Sequence, residues 1–205
     1  NVQTEGLAND NAWDADFQFI DGMRFDNGDL TLQKGWAGLA SNNLEQSAKS
    51  GSGLAKSCLS HMYREGFGVE RDPVKAFQWC SAAAKHKDKP EATFELAMMY
   101  SHGLGVKQCK ATAVLLLDVA GKQDHSLALF KLAEHFFEIA ENDSCFKKGF
   151  DACHRSAKLG LVEAQFNLGV MFEDGLGTHQ NFKKAAAWYQ RAAASGNERA
   201  MNNLG

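Results

Sequence analysis

Ala164-Gln165-Phe166-Asn167-Leu168-Gly169-Val170-Met171-Phe172-Glu173-Asp174-Gly175-Leu176-Gly177 is the stretch on which the fold turns. Ala164, Leu168, Gly169, Met171 and Phe172 share one side of a helix at its 3.6-residue period. Gly169 lacks a side chain there, so a neighbouring helix can come close. Gly175 and Gly177 then stop the helix, because glycine tolerates the positive φ of a C-terminal cap. A second amphipathic run follows from Phe182 through Trp188 to Ala194 and ends in Ser195-Gly196-Asn197. The unit is helix, tight glycine loop, helix.

The same phrase recurs along the chain. Ala55, Ala92, Ala128, Ala164 and Ala200 open successive copies at steps of 37, 36, 36 and 36 residues. One copy runs from Ala55 through Tyr63 to Gly66-Phe67-Gly68, and the next from Ala92 through Tyr100 to Gly103-Leu104-Gly105. The second helix has a counterpart over 73–84, where Pro73 suits the first helical position and Asp72 the N-cap. A period between 20 and 50 residues indicates stacked repeats, because one hairpin cannot bury its own apolar face and its neighbours must cover it. With 205 residues and 44% apolar content the chain can bury a core. Its only prolines are Pro73 and Pro90, and no alternating strand pattern is present, so the class expected is all-α.

The phrase A-x-x-x-L-G-x-x-Y-x-x-G-x-G-V, followed by K-A-x-x-W-Y-x-x-A-A-x-x-G, resembles the SEL-one-like repeat (SLR) family, a relative of the tetratricopeptide repeats. The resemblance is strong over 55–91, 92–127 and 164–199. It weakens over 128–163, where Ile139 and Glu141 replace the glycine pair and Ala152 stands where Trp79 and Trp188 stand. It implies a right-handed α-solenoid of antiparallel helix pairs with about five repeats. The expected domains are a degenerate capping repeat over 1–54 and a solenoid over 55–205, with repeats 55–91, 92–127, 128–163, 164–199 and a partial one at 200–205. Within 1–54, helices are expected over 12–25 and 32–50 around a polar loop at 26–29. The alternative for this segment is a separate partner-docking helix.

Charge and motifs exclude several classes. The net charge is −3, but 1–54 carries 8 acidic and 3 basic residues against 17 and 19 in the remainder. No basic stripe suited to phosphate backbones is present, so nucleic acid is not an expected partner. No apolar run reaches membrane-spanning length, so no membrane insertion is expected. G-x-S-x-G, H-E-x-x-H and Walker-type loops are absent. Gly103-Leu104-Gly105-Val106 follows a helix rather than a strand and recurs per repeat, which makes it a turn. The expectation is a non-enzymatic chain with no catalytic residue, no metal and no cofactor. Cys58 and His61, three apart on one helix, are the one candidate anchor for a metal or haem, and such a pair is usually incidental.

The five cysteines leave two readings open. None forms a C-x-x-C pattern. Cys58 and Cys80 lie equally far from the 66–72 turn, and Cys145 and Cys153 are read as flanking the loop that lacks its glycines. Either pair staples a hairpin in an oxidising compartment, or the thiols pack as small core residues.

The resemblance also implies where a ligand sits, since in related helical-hairpin solenoids the first helix of each repeat faces the concave side. Counting from the opening alanine, offset 2 gives Phe94, Phe130 and Phe166. Offsets 3 and 6 give Glu95, Met98, Lys131, Glu134, Asn167 and Val170. Offsets 9 and 10 add His102, Phe137, Glu138 and Glu173. This is an apolar stripe flanked by acids, suited to a protein partner with apolar anchors and Lys or Arg. The competing reading packs the offset-2 aromatics between repeats. The family implies a protein-protein interaction scaffold or adaptor. An exported or periplasmic bacterial binder of the immunity-protein type is the first expectation, resting on the cysteines and on the start at Asn1. The alternatives are a mitochondrial or secretory-pathway assembly or quality-control adaptor, and a haem or small-ligand binder.

Overall fold

The computed structural model describes residues 41–86, 90–139 and 142–204. The expected helix over 12–25 and loop over 26–29 lie outside them. Among the described residues there are ten helices and no strand, as the repeat pattern requires. The chain forms two compact units, Asn1–Cys109 and Lys110–Gly205. The first holds α1 (41–49), α2 (Gly53–Glu65), α3 (Pro73–Ala84) and α4 (Pro90–His102). The second holds α5 (Lys110–Lys122), α6 (Ser126–Glu138), α7 (Asp143–Lys158), α8 (Val162–Asp174), α9 (Phe182–Ala194) and α10 (Glu198–Leu204). Within each unit, helices adjacent in sequence pack on one another: α2 on α3 and α3 on α4, then each of α5 to α9 on the next.

The glycine loops share one backbone design. Gly66, Gly103 and Gly175 take φ of 80°, 71° and 74°, and Gly68, Gly105 and Gly177 each take 68°. The residue between the glycines returns its N–H to the helix end: Phe67 to Met62 O at 3.1 Å, Leu104 to Met99 O at 2.9 Å, Leu176 to Met171 O at 3.0 Å. A second bond fixes the way out of the loop, from Asp72, Cys109 and Asn181 N–H to the carbonyls of Tyr63, Tyr100 and Phe172. A side chain closes it, as Arg71, Gln108 and Gln180 donate to the carbonyls of Arg64, Ser101 and Glu173. Pro73 opens α3 at its first turn, with Asp72 accepting from Val74 and Lys75 N–H at 3.0 Å.

The repeat without the pair has a different loop. Ile139 ends α6 at φ −99°, outside the left-handed region, and α7 starts at Asp143 under an Asn142 cap. The connection shortens to residues 139–142, and α7 gains a turn, with 16 residues against 13 in α9.

The core repeats as the sequence does. The alanines at 55, 92, 128, 164 and 200 are buried, as are the leucines at 59, 96, 132 and 168. Truncating one such leucine to alanine costs roughly 2–5 kcal/mol. Gly169 provides the close approach expected of it: a Cβ there would lie 2.5 Å from the Tyr189 ring.

The cysteine-staple expectation needs correction. Cys145 and Cys153 do not flank a loop; both lie on α7, eight residues apart. At 1.5 Å rise per residue that is roughly 12 Å along the axis, beyond the roughly 7 Å Cα separation a disulfide bridges. Cys58 on α2 and Cys80 on α3 are not joined by a disulfide either. Cys80 and Cys153 instead occupy equivalent buried positions, and each directs its Sγ to the opening alanine of the next repeat: Cys80 to Ala92 O at 3.6 Å, Cys153 to Ala164 O at 3.5 Å. Burial, with the nearby charge of Glu95 or Glu134, pushes both thiols up to about 12. They are interior joints between repeats.

Candidate protein-binding site

In the second unit α6 and α8, the first helices of adjacent repeats, bound a trough of about 520 Å³. Ala133, Cys153 and Met171 line it from the buried core. Phe130, Phe137, Val170 and Leu176 supply its remaining apolar lining, and Glu134, Glu138 and Asn167 its polar groups. Phe130, Glu134, Phe137 and Glu138 lie within successive turns of α6, Asn167 and Val170 lie on α8, and Leu176 comes from the glycine loop that follows α8. Phe137 is placed by what faces it: Gly149 on α7 is so close that a Cβ would meet the ring at 2.7 Å, and Phe146 lies 5.9 Å away by ring centroids.

The acids are exposed and only loosely held. Glu134 accepts from Lys131 Nζ at 2.7 Å, and Glu138 forms an ion pair with Lys110 Nζ at 3.5 Å. Exposed pairs of this kind contribute about 0–1 kcal/mol and exchange readily for a stronger partner such as arginine. The Cys153 thiol stays protonated at neutral pH, so the site offers no thiolate nucleophile.

The structure therefore gathers Phe130, Glu134, Phe137, Glu138 and Val170 from the expected stripe around one trough. Phe166 departs from it. It is 5% exposed, packs on the Tyr189 ring at 5.7 Å, and is covered by the Arg199 guanidinium at 4.5 Å. The reason is local: Gly169 admits Tyr189, and the tyrosine ring draws Phe166 inward. Glu173 is engaged as well, accepting from the Tyr189 hydroxyl at 2.5 Å. In the first unit, Phe94 and Met98 are half-buried on α4, Glu95 pairs with Arg64 at 3.6 Å, and exposed His102 bonds through Nδ1 with Met98 O at 2.8 Å. Leu176 was absent from the expected stripe. Its signal was a large apolar residue held between two glycines in a solvated turn, a position shared by Phe67 and Leu104.

The Cys58–His61 pair gains no further ligand. His61 stacks on Phe67 at 5.7 Å, and among the described residues no three His, Cys, Asp or Glu side chains gather as a metal site. Among the same residues no helix is long and apolar enough to cross a membrane.

Comparison with known proteins gives a consistent result. The chitin synthase regulator SKT5 of Saccharomyces cerevisiae is 34% identical over 156 residues, covering 71% of this chain and 22% of that protein, so the chain spans about a fifth of that relative's length. Among solved structures, a Sel1 repeat protein from Oxalobacter formigenes matches with a TM-score of 0.75 and 30% identity, covering 82% of this chain and 48% of the other. The Escherichia coli protective antigen c5321 matches with a TM-score of 0.72 over 95% of this chain and 44% of its own, at 24% identity, a likeness of fold alone. The Sel1 repeat model matches residues 54–88, 90–125 and 162–197 and passes over the block without its glycines. Those three matches span just over half of the sequence, and the chain belongs to the Sel1 repeat family.

Proposed function

We propose that this chain is a non-catalytic protein-binding module whose first-helix faces hold a partner segment carrying an apolar anchor beside Lys or Arg. The trough between α6 and α8 carries this reading: about 520 Å³ of mostly apolar, solvent-open space with Glu134 and Glu138 beside it. An apolar side chain seated there supplies most of the affinity, and the acids set encounter rate and register. Phe94, Glu95, Met98 and His102 stand at the equivalent offsets on α4 of the first unit.

The 34% identical relative is a chitin synthase regulator, which supports an adaptor that controls another protein. It favours that role over the exported immunity-type inhibitor. In this reading 55–205 is the binding array and 1–54 its cap.

The test starts from partners cross-linked to the chain in its native source. Phe137→Ala and Val170→Asp are then compared with wild type by titration calorimetry against each purified partner. Phe137→Ala is expected to weaken binding by roughly 1–3 kcal/mol, and Val170→Asp to abolish it, with unchanged circular dichroism. A partner held with full affinity by both variants would sink the proposal.

A further inference from the structure

The opposite, second-helix face of the second unit carries a slot whose shape is given by its own neighbour one repeat along. Trp188 on α9 is buried, with its ring edge-on to His154 of α7 at 6.0 Å and the Arg191 guanidinium 4.5 Å over its face. Moving back 36 residues, Trp188 becomes Ala152, His154 becomes Asp118 and Arg191 becomes Arg155. All three line one open cavity of about 440 Å³ in the second unit. The flank is repeated too: Lys184 lies over the Phe172 ring at 5.2 Å, and Lys148 lies over Phe136 at 5.9 Å. The frame around Trp188 is thus present around Ala152 without its indole.

Three further features favour an incoming ring over water. Leu115, 68% exposed on the rim, stands where the next repeat has Asp151. Arg155 is held in place by Asp124 Oδ1 at 2.7 Å and Gly121 O at 3.0 Å, a fixed cation beside the empty face. Asp118, bridged to Lys122 at 2.6 Å, puts a carboxylate where His154 meets the indole edge. A guanidinium suits the negative face of an aromatic ring, and a carboxylate suits an indole N–H.

We propose that this slot receives a tryptophan side chain presented by a protein partner, replacing in trans the residue the repeat lacks. The slot is separate from the α6–α8 trough and does not rest on it.

Titration of the full chain with N-acetyl-tryptophanamide, followed by amide NMR spectra, tests the assignment. Saturable binding in the millimolar range is expected, with the largest shifts at Leu115, Asp118 and Ala152. N-acetyl-leucinamide is expected to bind at least about threefold more weakly, and Arg155→Ala to weaken the tryptophan amide by about threefold, the scale of an exposed cation–π contact. Ala152→Trp fills the slot and is expected to abolish binding while raising Tm. If that variant misfolds, Leu115→Asp on the exposed rim is expected to remove binding from a folded chain. Shifts mapping elsewhere, equal affinity for the leucine amide, or binding retained in the Leu115 variant overturns the proposal. Much tighter binding of free zwitterionic tryptophan than of its amide also overturns it, by identifying a small-molecule site.

Discussion

Gly177→Ala isolates how repeats are joined. Gly177 has φ 68°, and a Cβ on it would run into the Phe146 carbonyl oxygen while standing 2.8 Å from Phe150 Cβ, both on the first half of α7. Two costs follow. Holding alanine in the left-handed region costs about 1–2 kcal/mol. Pushing a backbone carbonyl out of the way, in a helix packed against its neighbours, adds roughly 1–3 kcal/mol of overpacking strain. The total is about 2–5 kcal/mol. Gly196 is the internal control, because it has φ 87° but nothing within 4 Å of its would-be Cβ. Gly196→Ala carries only the first cost. Urea unfolding followed by circular dichroism gives both values, provided the m-values match that of wild type. The reasoning is refuted if the two variants agree within about 0.5 kcal/mol, since the close approach of α7 would then contribute nothing.

Other outcomes follow from the same contacts. Iodoacetamide at mildly alkaline pH is expected to leave Cys80 and Cys153 unmodified in the native chain and to label all five cysteines in urea, as read by mass spectrometry. The raised Cys80, Cys153 and Tyr189 groups keep their protons in the fold after the unfolded chain has lost them. Stability from them is therefore full below about pH 9 and declines as pH rises towards 12, and Cys153→Ala should flatten that decline in urea midpoints. Tyr189→Phe removes the hydrogen bond to Glu173 and should lower stability by about 1 kcal/mol in the same assay. Glu134→Lys should slow partner association and flatten its salt dependence, measured by stopped flow.

The backbone was more legible than the side chains. Glycine at 66, 103 and 175 announces a left-handed cap in the sequence itself, and each of the three takes positive φ. The side chains at equivalent offsets did not share a fate, because their surroundings differ between repeats. Phe130 and Phe166 occupy the same offset, yet one lines the trough and the other is covered by Arg199. What separates them is the tyrosine that Gly169 admits, a contact between helices that no single helix period reveals. Cys145 was misplaced for a related reason. Without its glycines the loop is shorter, so α7 begins earlier and takes in a residue expected outside it. Cys153, read as a possible staple, lies buried against the next repeat.

The short connection at 139–142 has a consequence for how such an array diversifies. Copies that keep the glycine pair share the same loop bonds and can be duplicated as like parts, changing length but adding no new address. Block 128–163 is different in kind: on the readings proposed above, it contributes α6 to one recognition surface and Ala152 to the other. Exchanging that single cassette for a copy of 164–199 would give a chain of the same class that answers to a different partner, whereas exchanging 55–91 would leave both surfaces in place.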